Sequence, residues 1–381
     1  MKYNKSMACC PSAWLFACWL VLSPLSAAWA QSQDSVAGFE LVPEQKLITG
    51  LEAIEQGAFD QALTIFSDLS KTMPEYRLAQ LMQAELLAIK AGQTQTLSTQ
   101  RQAHANTLAQ LVDEAKVRWR QTHPQQNSAQ RRQAVLSEYI LKTSQEPYLV
   151  LVDAPAHRLF VYQNLENGYE QVGSFYVTLG EKGMGKQVRG DKKTPVGIYQ
   201  IVKQMPDDAL PELYGIGALT LNYPNSWDKK QGRTGSGIWL HGTPRSTYSR
   251  PPLSSRGCVV LSNDEMETLL FQFGLNRTTP VIIADQMPSS NALNQIESDK
   301  QAVLTRINRW LQAQSHYQVD WAKVSVYAYP GEEDLYYVSF PVQQELWVEQ
   351  YWQEGVSGQW QLVYENTQAA HNVPTLSQKT P

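Results

Sequence analysis

The sequence predicts a multidomain protein with an α-helical N-terminal region, a mainly-β central domain and a smaller α+β unit at the C-terminus. Three observations carry this reading. The chain has 381 residues, more than one ordinary domain needs. Near residue 148 the apolar pattern changes from helical spacing to short runs punctuated by Gly, Pro, Asn and Asp. It changes again after a polar stretch at 286–299, where one amphipathic helix precedes aromatic-rich strands.

The first thirty residues read as an export signal. Lys2 and Lys5 form a basic start, an apolar stretch runs from Ala13 to Leu25, and Ala28-Trp29-Ala30 places small residues before polar Gln31. The stretch is short for a membrane span. Leu15-Phe16-Ala17-Cys18 is close to a lipoprotein cleavage box, but Phe16 fits it poorly, so soluble export to the periplasmic or cell-wall side of the membrane is the expectation and lipidation at Cys18 the competitor. Cleavage after Ala30 would remove Cys9, Cys10 and Cys18 and leave Cys258 as the one remaining cysteine. In an oxidising compartment structural cysteines come in pairs, so a single thiol calls for a chemical reason.

Residues 31–147 read as helices. Gly57 to Phe66, continuing to Leu69 and Pro74, has the small and aromatic spacing of one tetratricopeptide-like hairpin, with a second helix from Arg77 to Ala91. The hairpin serves either as a packing element or as a peptide-docking surface. A helix from Leu108 to Arg120, a break at Gln121–Gln130 and a last helix from Arg131 to Lys142 follow. The central domain spans 148–285. Tyr148–Asp153, Arg158–Tyr162 and Tyr169–Leu179 are its first strands, 205–236 a loop-rich insertion, 237–240 a strand ending at His241, Asn263 a helix cap and Pro280–Ala284 the closing strand. His157 reads as an exposed turn residue. After a linker at 286–299, the unit at 300–365 has a helix from Gln301 to Gln314 and strands at Val324–Pro330, Leu335–Gln343, Glu345–Glu354 and Gln359–Tyr364. The tail at 366–381 reads as disordered.

The chemistry concentrates in 237–263. His241 ends an apolar run, and Cys258 follows seventeen positions later between a Ser-Arg-Gly turn and a second apolar run. A lone cysteine is more often a small core residue than a nucleophile, and a lone histidine is usually structural. Two short strands could nevertheless bring His241 beside Cys258 as base and nucleophile. The Gly257 and Cys258 amides would then sit where an oxyanion needs donors.

Three blocks in order complete the pattern: Gly190-Asp191 with Thr194-Pro195-Val196-Gly197, His241-Gly242, and Ser255-Arg256-Gly257-Cys258. On these the segment 148–285 resembles the L,D-transpeptidase (YkuD) catalytic domain. The resemblance implies a β-sandwich-like domain that acts on peptidoglycan stem peptides. It further implies Cys258 as nucleophile, His241 as base and the Gly242 carbonyl as the group that holds the imidazole tautomer. Where the family usually has His before Gly-Cys, this chain has Arg256, expected near the thiolate or a substrate carboxylate. Ser255, Tyr223 and Asn225 are the other expected substrate contacts. The C-terminal unit resembles an NTF2-like domain, as in cell-shape L,D-carboxypeptidases of the same superfamily.

The function expected from the resemblance is acyl transfer from a stem tetrapeptide through a Cys258 thioester, in wall remodelling and cell shape. An L,D-carboxypeptidase with water as acceptor, release of a wall-linked lipoprotein, and a catalytically degenerate wall-binding scaffold are the alternatives. Wall-associated proteins are the partners considered for the helical and NTF2-like regions. A formal charge of −4 gives no electrostatic case for nucleic acid. No His/Cys/Asp/Glu cluster has metal spacing and no phosphate loop or dinucleotide fingerprint is present, so no cofactor is expected.

Overall fold

The computed structural model describes residues 42–92, 96–122, 136, 139–144, 146–165, 168–286, 293–314, 318–342, 346–355 and 360–369. The expected leader, most of the expected break at 121–130 and the end of the tail lie outside these residues.

Four helices come first: α1 (Val42–Glu55), α2 (Phe59–Thr72), α3 (Arg77–Lys90) and α4 (Thr96–Thr122). Ala62, Phe66 and Leu69 recur at helical spacing, so one face of α2 meets Leu47 and Leu51 of α1 and Leu78 and Leu86 of α3 in a common core. Gly57 turns the chain between α1 and α2 at φ +73°, a conformation that costs glycine little. Tyr248, far away in sequence, joins this core against Tyr76, with ring centroids 4.4 Å apart. The helical region is thus packed onto the central domain.

The expected helix from Arg131 to Lys142 is corrected at its end. Ile140–Lys142 is a strand, β1, because its backbone pairs antiparallel with a strand far onward in the chain, Ile140 with Tyr327 and Lys142 with Val326. The strands of the central region are β2 (Tyr148–Asp153), β3 (Arg158–Leu165), β4 (Gly168–Tyr176), β5 (Leu179–Gly180), β6 (Gly197–Pro206), β7 (Gly217–Leu221), β8 (Trp239–His241), β9 (Leu253–Ser255), β10 (Val259–Val260) and β11 (Pro280–Ala284). Eight form one mixed sheet in the order β10-β8-β7-β6-β11-β2-β3-β4, and β5 pairs with β9. The expected insertion at 205–236 is more ordered than a loop, since it contains β7 and a short helix, α5 (Ser226–Lys230). The helix after β10, α6 (Asn263–Glu267), is capped by Ser262 rather than Asn263. The Ser262 side chain accepts from the Glu265 amide while the Glu265 carboxylate accepts from the Ser262 amide.

Both faces of the sheet are covered, which explains the unbroken apolar runs. Val150 and Val152 of β2, Leu159 and Val161 of β3, and Val281 and Ile283 of β11 point into a core closed by Met266, Leu269 and Leu270. Leu149, Leu151, Phe160, Tyr162, Ile282 and Ala284 alternate onto the opposite face. That face meets a second sheet, made of β1, β12 (Ser325–Ala328), β13 (Leu335–Val342), β14 (Leu346–Glu354) and β15 (Trp360–Ala369), all antiparallel. Its Tyr327, Tyr337 and Tyr351 belong to the interface core. Its other face carries Val326, Val338 and Phe340 against Val303, Ile307 and Leu311 of helix α7 (Leu293–Ala313).

Two expected boundaries shift accordingly. α7 begins inside the expected linker, and β15 extends to Ala369, into the expected tail. Residues 31–147 and 300–365 are also not separate units, because β1 completes the C-terminal sheet.

Candidate active site

β8 and β10 run side by side in parallel register, Leu240 with Val259 and His241 with Val260. Leu240 and Val259 point into the core below. By the alternation of the pleat, His241 and the residue entering β10, Cys258, point to the opposite face. The sequence therefore folds its two chemical residues onto neighbouring strands of one face.

His241 is buried, and its Nδ1 lies 2.7 Å from the carbonyl oxygen of Gly242. A carbonyl can only accept, so Nδ1 carries the proton and Nε2 keeps the lone pair. Gly242 holds a tight place, since a Cβ there would come within 2.3 Å of Asn263 Oδ1. Tyr214 packs edge-on to the imidazole at 5.0 Å and lies 4.7 Å from Trp239, which makes an aromatic wall beside His241. Burial lowers the His241 pKa to about 4, with Arg250 adding to that effect and the Gly242 bond opposing it.

Cys258 is free and half-buried. Its thiol donates to the Gly237 carbonyl at 3.3 Å, and the Trp239 amide donates to the sulfur. Burial pushes the thiol up, while the Trp239 amide and the charges of Arg250 and Lys186 pull it down. Lys186 is itself paired with Asp191 at 2.7 Å. Burial acts to raise Asp191. The Lys186 bond and the amides of Gln187, Val188 and Lys193 outweigh it and hold the carboxyl at about 2.

The turn before the cysteine is built by Ser255. Its buried hydroxyl donates to the Cys258 carbonyl at 2.7 Å and accepts from the Gly257 amide at 3.0 Å. Gly257 sits at φ +119°, where a Cβ would meet the Lys193 carbonyl at 2.6 Å, so only glycine fits. The nearby Thr194 hydroxyl accepts from the Gly180 amide at 2.9 Å, and so fixes the loop of the Gly190–Gly197 block against the same turn.

Several expected positions are corrected. The Gly257 amide is engaged by Ser255 and is not turned out as an oxyanion donor. Ser255, expected as a substrate contact, spends its hydroxyl on bracing the turn. Arg256 is exposed, and its charge acts on Glu181, while the guanidinium that acts on Cys258 is Arg250. Asn225 is 2% exposed and caps α5. Its Oδ1 accepts from the Asp228 amide, and its Nδ2 donates to the Ile198 carbonyl and to Tyr329 Oη. Tyr223 is buried and donates to the Thr234 carbonyl at 3.3 Å. His157 is half-buried, at φ 51°, with Nδ1 3.2 Å from the Val177 carbonyl.

Arg250 was not singled out by the sequence reading. Its carbonyl accepts from Tyr176 Oη at 3.0 Å and Thr178 Oγ1 at 2.8 Å, and its guanidinium bonds the Ser254 carbonyl. The available signal was an arginine directly before Pro251-Pro252, inside the loop that joins His241 to Cys258.

A buried histidine with a fixed tautomer and a partly exposed thiol thus stand at neighbouring strands of a mixed sheet, the two side-chain types that cysteine acyl transfer uses. Residues 147–283 match the YkuD model, the L,D-transpeptidase catalytic domain. The segment is also 24% identical over 140 residues to YafK of Escherichia coli strain K12, whose name assigns it to the L,D-transpeptidases. That alignment covers 36% of this chain, and the chain spans about half the length of the curated relatives it matches, at 52%. Among solved structures, Bd1075 of Bdellovibrio bacteriovorus covers 61% of this chain and 98% of its own, at 21% identity and TM-score 0.46. The helical cell shape determining protein Pgp2 of Campylobacter jejuni covers 60% of this chain and 92% of its own, at 19% identity and TM-score 0.42. No group of His, Cys, Asp and Glu that could hold a metal occurs among the described residues, and none of their helices is long and apolar enough to cross a membrane.

Proposed function

We propose that this chain is an exported L,D-transpeptidase that transfers the acyl group of a peptidoglycan stem tetrapeptide through a Cys258 thioester. The observation that carries the reading is the His241–Gly242 bond, which leaves Nε2 basic on the face that also presents Cys258. Nε2 takes the thiol proton as sulfur attacks the carbonyl carbon of the third stem residue. The C–S bond forms, the C–N bond breaks, and the imidazolium returns its proton to the leaving D-amino acid. The Cys258 amide is the donor proposed for the oxyanion, a contribution of about 3 kcal/mol. An amine that attacks the thioester gives a cross-link, and water gives a trimmed tripeptide.

The test follows a purified disaccharide-tetrapeptide by mass spectrometry, with the wild-type protein and Cys258→Ala. Dimers joined through third residues, absent with the variant, support the transpeptidase. Tripeptide and free D-alanine without dimer would replace it by a carboxypeptidase on the same site. Absence of any product with the wild type overturns acyl transfer from this substrate.

A further inference from the structure

Arg250, whose charge acts on Cys258, lines a cavity of about 280 Å³ whose walls come from two regions of the chain. Arg77 of α3 and Thr107, Gln110 and Glu114 of α4 form one side. Ser249 and Arg250 of the loop between His241 and Cys258 form the other. The loop is tied to the helices: the Tyr248 amide donates to the Glu75 carbonyl at 3.3 Å, and Ser249 Oγ donates to Glu114 Oε1 at 2.6 Å. The helical region therefore both roofs the cavity and holds the loop that carries Arg250.

Arg250, like half-buried Arg277, differs from the other buried or half-buried arginines described. Arg118 pairs with Glu44 and Glu114, Arg158 with Glu44, and Arg233 with Asp228 and Glu332. Arg250 has no carboxylate partner among the described residues, and its guanidinium bonds a backbone carbonyl. A half-buried positive charge without a counter-charge is costly to hold. Here its charge acts on the thiol and it lines the cavity, and exposed Arg77 adds a second guanidinium at the rim. The one acid in the wall, Glu114, is turned onto Arg118 and Ser249.

We infer that this cavity is a carboxylate subsite, in which Arg250, with Arg77 at its mouth, receives the free α-carboxylate of the residue that leaves when Cys258 attacks. The inference rests on the acyl-transfer reading above. Backbone dimensions place the terminal carboxylate carbon within about 4 Å of the scissile carbonyl carbon, so a guanidinium beside the sulfur can reach it. A guanidinium and a carboxylate are matched in geometry and form charge-assisted bonds. The donor peptide is thereby required to end one residue beyond the scissile bond, and the helical region takes part in substrate selection.

The experiment compares a disaccharide-tetrapeptide ending in free D-alanine with the same compound ending in D-alaninamide. It measures kcat/KM for release of the last residue by the wild type, Arg250→Gln, Arg250→Lys and Thr107→Trp. The wild type is expected to prefer the acid at least about tenfold, the scale of one charge-assisted bond. Arg250→Gln is expected to bring the acid-to-amide ratio close to one, and Arg250→Lys to restore part of it. Thr107→Trp, placed to fill the cavity, is expected to raise KM for the acid with little change in kcat. Turnover of both substrates by the wild type without preference overturns the subsite and leaves the acyl transfer standing. A preference that survives in Arg250→Gln overturns the role of Arg250. No turnover of either substrate by the wild type overturns the acyl-transfer reading, and the subsite with it.

Discussion

At the scale of single residues, electrostatics sets the protonation states of the thiol and the imidazole. Burial holds His241 down at about 4 and pushes the Cys258 thiol up, so both groups are neutral near pH 7. In the proposed mechanism the thiol therefore meets a neutral base and not a preformed ion pair. Protonated His241 cannot accept the thiol proton, so kcat/KM should rise as pH increases through about 4 and then stay level across the neutral range. A pH profile whose acid limb sits near the ordinary histidine value would contradict this. Ser255→Ala leaves the Gly257 amide and the Cys258 carbonyl without their shared partner, which should cost about 1–3 kcal/mol. Urea unfolding gives that loss, and the same variant should turn over more slowly because the turn that presents the thiol is loosened. Arg256→Gln, on an exposed turn, should leave the rate of Cys258 alkylation unchanged, and a rate change of severalfold would return the thiolate role to Arg256.

At the scale of elements, short pieces are held by side chains more than by their own length. α6 has five residues and relies on the reciprocal Ser262–Glu265 bonds at its start. Ser262→Ala should therefore lower stability by about 1 kcal/mol in denaturant unfolding. The loop between β5 and β6 is organised around Asp191, which bonds Lys186 and three backbone amides. Asp191 is held at about 2, below its ordinary value, so its contribution to stability is present above that ordinary value and is lost as pH falls through about 2. Asp191→Ala removes this anchor at every pH, and limited proteolysis should then cut the loop faster than in the wild type.

At the scale of the whole molecule, the regions interlock instead of following one another. β1 enters the C-terminal sheet, the tyrosine face of that sheet lies on the central one, and Trp227 stacks on Tyr351 with centroids 5.3 Å apart. On the other side, buried Arg118 lies 3.9 Å from the Tyr176 ring and bonds Glu44 and Glu114. Burial raises Glu114 to about 8, with Ser249 opposing the shift. A carboxyl raised above its unfolded value contributes stability that is fully present below that value and is lost as pH rises through about 8. Glu114→Gln removes this titration, so its melting temperature relative to the wild type should rise between pH 6 and pH 9. Equal shifts for the two proteins would show that Glu114 does not titrate in this range.

Much of this was legible before folding. His241-Gly242 and Ser255-Arg256-Gly257-Cys258 are each contiguous in the chain, and adjacency dictated the tautomer bond and the tight turn. The apolar runs of β2 and β11 are local as well, and they marked strands with two covered faces. What covers the second face was not legible, because the tyrosines that do so lie about 180 residues from β2 and follow a pattern compatible with an independent sheet. Arg250, Tyr214 and the helical roof escaped for the same reason: their roles depend on how close the backbone brings them to Cys258 and His241. Asn225 was misplaced because residue type predicts what a side chain can bond, while burial decides what it does bond. The sequence by itself determined the chemical pair and the turn that presents it. Only the tertiary structure decided which charge stands beside the thiol and which region encloses it, since a field at one atom depends on every group folded around it.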